Sequence, residues 1–195
     1  MPGKVIGTPH EYLMRMPVPS LKEELPSVLG EIREYGIEKL LGECPDFMER
    51  LFEKLRQAEA AKFFSEAPAL TDQVTSLLWD GVAYRAVHSK EMKSVLEKVD
   101  RDFGCNIEAS DSPFRSHFSL EKGEIHGAPG LLHFNDEDFR FMGPTEVLIE
   151  LLTGDLLLGF SNLRLQTAGH PGWIRRIAPV MREICRIIKG LDIPV

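Results

Sequence analysis

The spacing of apolar residues changes period once along this chain, and that change constrains the fold more than any other feature. Up to about residue 104 the apolar side chains recur at helical intervals. Beyond it, Phe114, Ser116, Phe118 and Leu120 point one way while Arg115, His117, Ser119 and Glu121 point the other, the alternation of a half-buried strand. Helices, then a strand meander, then helix, strand and helix predict an α+β fold with a largely antiparallel sheet.

Within the helical half, Pro2, Pro9, Pro17 and Pro19 predict an extended arm over residues 1–19. Ser20 with Glu23 three residues later reads as a capping box. The helix it opens runs to Leu41, weakened at Pro26 and Gly36. After Gly42 and Pro45, the spacing of Phe47, Leu51 and Leu55 predicts an amphipathic helix to about Phe64, ended by Pro68. A further helix is expected from Thr71 through Trp79. Another starts at Ser89, carries the stripe Met92, Val95, Leu96 and Val99, and stops at Gly104.

Downstream, Lys122-Gly123 suits a tight turn into Glu124-Ile125-His126. Further strands are expected at residues 131–134, 139–142 and 162–166, with a short helix at 145–153. On that helix Val147, Leu148, Leu151 and Leu152 share one side and Glu146 and Glu150 the other, and Gly154 supplies a left-handed stop.

The last amphipathic segment, residues 173–191, has Ile174, Ile177, Val180, Met181, Ile184, Ile187, Ile188 and Leu191 on one face. Arg175, Arg182, Arg186 and Lys189 lie opposite, with Arg176 near the boundary and Pro179 placed to kink the helix. Three readings fit: a cover over the sheet with solvated cations, a lid on a cavity for an apolar ligand, or a helix for an anionic membrane surface.

Thirty acidic against 23 basic side chains leave a net charge of −7, which argues against a general nucleic-acid binder. Cys44, Cys105 and Cys185 match no zinc spacing and read as buried thiols in a reducing compartment. The start lacks the apolar run of a secretory signal, and residues 147–160 are interrupted by Glu150 and Asp155 and too short to span a bilayer. Asp192-Ile193-Pro194-Val195 is neither a peroxisomal address nor a prenylation box. A cytoplasmic protein is expected.

Chemistry-bearing motifs are sparse. Gly159-Phe160-Ser161-Asn162-Leu163 departs from a nucleophile elbow at its last residue, and neither a P-loop nor a dinucleotide fingerprint occurs. His133, Asp136 and Asp138 come nearest to a metal set, although an acidic turn explains the same residues. His117 reads as a surface histidine. No catalytic residue, metal or cofactor is expected, and the protein reads as a non-enzyme.

Three further stretches carry a family likeness: the hairpin Phe118-Ser119-Leu120-Glu121-Lys122-Gly123-Glu124-Ile125; Asp138-Phe139-Arg140-Phe141 followed by the helix from Glu146 to Gly154; and Leu163-Arg164-Leu165 with Gly169-x-x-Gly172 leading into the last helix. Their order and spacing resemble the sterol carrier protein 2 (SCP-2) family. The resemblance implies a five-stranded sheet covered by helices on one face, and an apolar tunnel that binds lipids without catalysis. Residues 71–195 would form that lipid-binding domain, and residues 1–70 an arm and helical extension. The expected lining is Val147, Leu148, Leu151, Leu152, Leu156, Phe160, Ile177, Met181 and Ile184, for a sterol, fatty acid, acyl-CoA or similar lipid. A transient anionic membrane contact falls to Arg175, Arg182, Arg186 and Lys189. The alternative is an accessory protein that delivers an apolar intermediate, such as a quinone precursor, to partner enzymes. In both, the N-terminal helices would dock a protein partner or a second copy.

Overall fold

A computed structural model describes residues 8–99, 101–154 and 164–191. The helical half contains α1 (Pro9–Arg15), α2 (Leu21–Tyr35), α3 (Ile37–Glu43), α4 (Phe47–Gln57), α5 (Ala60–Glu66), α6 (Pro68–His88) and α7 (Lys90–Leu96). Strands β1 (Phe103–Ala109), β2 (Arg115–Glu121), β3 (Glu124–Pro129) and β4 (Phe139–Gly143) follow, then α8 (Thr145–Leu152), β5 (Gln166–Gly169) and α9 (Gly172–Ile188). The five strands form one sheet in the order β3-β2-β1-β4-β5. β1 and β4 run parallel; the other three pairings are antiparallel. The α+β class and the largely antiparallel sheet are as the sequence predicts.

The helical half departs from expectation in several places. The described part of the arm is a helix, with the Thr8 N–H donating to Glu11 Oε2 at 3.3 Å. Its C-terminal end is held from below, because the buried Lys54 ammonium donates to the carbonyls of Met14 (3.0 Å) and Met16 (2.5 Å). The Ser20 box does not form: a 3₁₀ turn, Val18–Ser20, leads directly into α2 with no side-chain cap. The helix expected up to Phe64 is two helices, broken where Glu59 takes a left-handed φ of 55°. Pro68 starts α6 rather than merely ending a helix, since a first-turn position needs no N–H. That helix continues nine residues beyond Trp79 to His88. Ser89 caps α7, its Oγ accepting from the Met92 N–H at 3.0 Å.

α6 joins the halves. Its Trp79 lies flat on β3 at Gly127, where a Cβ would sit 2.2 Å from the indole, so only glycine fits. The Trp79 Nε1–H donates to Ser116 Oγ at 2.6 Å, fixing the helix across the sheet. Buried apolar side chains from α1 through α9 form one continuous core.

Gly104 lies inside β1 and stops nothing. Residues 131–138 pass over the outer face of the sheet at this strand: the Leu132 N–H donates to Asn106 Oδ1 (2.8 Å) and the Asp138 N–H to the Gly104 carbonyl (2.9 Å). A Cβ at Gly104 would collide with the Asp136 carbonyl at 1.9 Å. The strand expected at 131–134 is therefore this crossing loop, ending in a 3₁₀ turn (Phe134–Asp136) after Gly130 swings the chain off the sheet at φ 86°. β5 begins at the last residue of its predicted range and ends three residues beyond it, where β4 offers a partner (Phe139 opposite Gly169 and Met142 opposite Gln166); residues 162 and 163 lie outside the described residues.

Candidate functional site

α6 and α8 pack on the inner face of the sheet, and α9 lies on α6, α7 and α8 and meets the sheet at Phe103 through Trp173. The Asp111 carboxylate, on the β1–β2 loop, receives the Thr145 N–H (2.8 Å) and hydroxyl (2.6 Å), which holds negative charge at the start of α8. α9 packs on α8, and a polar link crosses between them, from the Cys185 thiol to the Leu151 carbonyl at 3.1 Å.

Of the expected lining, Val147, Leu148, Leu151 and Leu152 on α8 and Ile177, Met181 and Ile184 on α9 are each 3% exposed or less and share one apolar cluster. Leu156 and Phe160 lie outside the described residues. Ile177 borders an opening. An apolar crevice lies between Val99, Phe103, Leu120, Trp173 and Ile177, with Arg176 at its edge, and it has no room for a water-sized guest. The Trp173 ring packs 4.6 Å from Phe103, centroid to centroid. Two guanidiniums lie over it, Arg101 at 4.4 Å and Arg176 at 5.2 Å, contacts of about 0.5–1 kcal/mol each at exposed sites. Arg101 also pairs with Asp138 at 2.6 Å.

From the crevice an apolar track leads along the surface. A cavity of about 370 Å³ shares Val99 and Leu120 with it and runs past Leu96, Arg101 and Lys122. A second of about 370 Å³ lies between α6, α7 and the β2–β3 turn, over Ala83, Ala86, Val87, Leu96 and Ile125, with Lys93 and Lys122 on its rim. On the opposite side of Phe103, a cleft of about 410 Å³ is acidic, with Asp102, Glu121, Asp136 and Asp138.

The outer face of the sheet is polar and tightly paired. Arg140 donates to Glu137 (2.6 and 2.5 Å) and to Glu108 (2.6 Å), and Glu108 also pairs with Arg115 at 3.1 Å. Asn106, fully buried, donates to Glu137 Oε2 at 2.7 Å. These hydrogen bonds, from Arg140 above all, hold the Glu137 carboxyl below its ordinary range. Burial pushes the thiols the other way: Cys185 up to about 12, Cys44 up to about 11, and Cys105 higher than usual as well. All three stay protonated at neutral pH, so none is a ready nucleophile.

His133 Nδ1 accepts from the Asn135 N–H at 3.3 Å, and Asp138 is taken up by Arg101 and the Gly104 N–H. Among the described residues no three His, Cys, Asp or Glu side chains come together to hold a metal ion. His117 Nδ1 lies 3.0 Å from the Gly130 carbonyl, a structural contact near the start of β2. The wheel also placed Ile174 and Leu191 on the inner face of the last helix. They are 40% and 63% exposed, because Ile174 sits at the margin of the buried arc and Leu191 follows the helix end. Among the described residues, no helix is long and apolar enough to cross a membrane.

Sequence reasoning passed over Phe103, Leu120, Trp173 and Arg101 as site residues. The aromatic pair was visible only once β1 was known, since no local pattern brings residues 101–103 to residue 173.

No family model matches the sequence, and neither does any curated protein. Among solved structures the chain is similar to the UbiJ-SCP2 ubiquinone synthesis protein, with 13% identity, 60% of this chain and 93% of that one covered, and a TM-score of 0.43. It is also similar to sterol carrier protein 2 from Yarrowia lipolytica in its apo form, with 12% identity, 59% and 91% covered, and a TM-score of 0.40. The region so matched spans about 60% of the chain, and the described residues have a mixed five-stranded sheet after an N-terminal helical block.

Proposed function

We propose that this protein binds and carries an apolar small molecule without converting it, taking it up between α8, α9 and the sheet. The observation that carries this reading is the crevice at the first turns of α9. Its walls are apolar, its rim holds Arg101 and Arg176, and its inner wall is Ile177, which shares one buried apolar cluster with the other described members of the set. Entry means parting α9 from its neighbours. What opposes that is almost wholly apolar contact, which an alkyl chain replaces in kind at about 0.8 kcal/mol per methylene. The lining is Val147, Leu148, Leu151, Leu152, Leu156, Phe160, Ile177, Met181 and Ile184, and the cargo a sterol, fatty acid, acyl-CoA or related lipid.

In this reading residues 71–195 hold the cargo, and residues 1–70 are the helical extension that meets a protein partner or a second copy. Cargo exchange takes place at an anionic membrane surface through Arg175, Arg182, Arg186 and Lys189. Native mass spectrometry of the purified protein tests the reading for a retained lipid. Titration with a fluorescent fatty acid tests the lining: Ile177→Ala and Leu152→Ala weaken binding about fivefold or more, and unchanged affinity in folded variants contradicts it.

A further inference from the structure

We infer that the loop crossing the outer face of the sheet is a self-association surface, which seats Phe134 and the carboxylates beside it on the outward face of α9 in a second copy of the chain. The inference goes beyond the carrier reading and does not rest on it. Phe134 is 77% exposed, the most of any large apolar side chain among the described residues, and Leu131 on the same loop is 36% exposed. The loop that presents them is tied down. Asn106 Oδ1 accepts the Leu132 N–H, the Gly104 carbonyl accepts the Asp138 N–H, and the Asp138 carboxylate accepts the Gly104 N–H at 3.1 Å. The turn that carries Phe134 is closed by the Asp136 N–H, which donates to the His133 carbonyl at 2.9 Å. An aromatic side chain presented by a backbone already in place loses little freedom on contact, which suits it to anchor an interface.

What surrounds Phe134 selects what it meets. The same loop lends Leu132, Asp136 and Asp138 to the acidic cleft, whose other carboxylates are Asp102 and Glu121. Arg101 takes up Asp138, but Asp102, Glu121 and Asp136 pair with no cationic side chain among the described residues. A partner for this surface must carry cations around an apolar spot, and α9 does. At 100° per residue, Arg175, Arg182, Arg186 and Lys189 fall within an arc of about 60° and along roughly 21 Å of helix. Ala178 and Pro179 lie between Arg175 and Arg182, about one turn from each, so an aromatic ring resting there has a guanidinium on either side. Arg175 and Arg182 make no ion pair among the described residues. The loop lies on the outer face of the sheet and α9 on the helices of the inner side, so the two surfaces meet between copies rather than within one. Each gathers like charges that an isolated surface would intersperse, and each supplies what the other lacks. The contact joins different faces of two copies, so each copy offers both halves of it. A copy seated on α9 covers Arg175 and Arg182, the cations that the carrier reading turns toward a membrane.

The test is sedimentation velocity of the full chain over a range of concentrations. The weight-average sedimentation coefficient rises with concentration, and the rise shrinks as added salt screens the charges. Phe134→Ser weakens self-association roughly tenfold or more, with thermal melts unchanged because the side chain is exposed. Two charge-reversed chains complete the test: one carries Glu121→Lys with Asp136→Lys, the other Arg175→Glu with Arg182→Glu, all at exposed positions. Each alone stays monomeric, because like charges then face each other. Mixed, they associate, since the acidic loop of the second meets the unaltered α9 of the first. A wild-type chain that stays monomeric at millimolar concentration overturns the inference, even if an arginine-rich peptide binds it. Association that persists in Phe134→Ser and in both reversed chains runs through another face, such as the N-terminal helices, and overturns it too. So does a mixture that stays monomeric.

Discussion

The two faces of the sheet are closed by different physics. On the outer face, Asn106, Glu108, Arg115, Glu137 and Arg140 interlock through directional bonds of 2.5–3.1 Å beneath residues 131–138. On the inner face, α6 and α8 pack on the strands with apolar side chains and α9 closes over them, with a thiol-to-carbonyl contact from Cys185 to Leu151 joining α9 to α8. A directional network cannot yield to a guest without leaving buried polar groups unpaired, at about 1–3 kcal/mol each. Apolar packing can trade one apolar neighbour for another of similar volume at little cost. The outer face is therefore a fixed floor, and the inner face is where the proposed guest would enter.

Substitutions on the two faces should respond oppositely to ligand. Met181→Ala, fully buried on α9, costs about 2–5 kcal/mol in urea unfolding. A saturating fatty acid restores part of that loss by filling the space. Asn106→Ala orphans the Leu132 N–H and one Glu137 contact, costing about 1–3 kcal/mol that no fatty acid recovers, with probe affinity unchanged. A restored Asn106→Ala, or an unrestored Met181→Ala, would erase the distinction.

The outer network carries a pH signature. With its folded pKa depressed, Glu137 contributes stability that is fully present above its unfolded pKa and is lost as pH falls through the lower folded value. The urea midpoint of wild type thus converges on that of Glu137→Gln as acid is added below about pH 4, whereas Met181→Ala stays offset from wild type by a constant amount. The smallest effect is at the mouth. Arg101→Ala loses the exposed pair with Asp138 and the contact over Trp173, less than about 1 kcal/mol of stability. It raises acrylamide quenching of Trp173 and speeds uptake of the fluorescent fatty acid, measured against Trp173→Phe as the blank.

The same contrast decides how much the sequence could tell. β2 was legible because one face meets apolar side chains and the other meets polar groups, so Phe118 and Leu120 alternate with His117 and Ser119. β1 was not, because both its faces are covered: Cys105 and Ile107 by the core, Asn106 by the crossing loop, and Gly104 by the approach of the Asp136 carbonyl. Its side chains lack the alternation that a one-sided strand shows. The apolar faces of α8 and α9 were read correctly across Val147 to Leu152 and Ile177 to Ile188, since helical period alone places them. The mouth was invisible for the opposite reason. Arg101, Phe103 and Trp173 meet only through β1's place in the sheet and α9's crossing over it, and neither leaves a local mark. The break at Glu59 also escaped, since no glycine announces its left-handed backbone.

Photo-crosslinking with a diazirine-bearing fatty acid, followed by peptide mapping, tests most directly whether a guest enters between α8 and α9. The account predicts label on peptides that contain Leu151 or Leu152 and on those that contain Ile177, Met181 or Ile184, displaced by unlabelled fatty acid. Label confined to the surface track over Ala86, Val87 and Ile125, with none on α8, would contradict it.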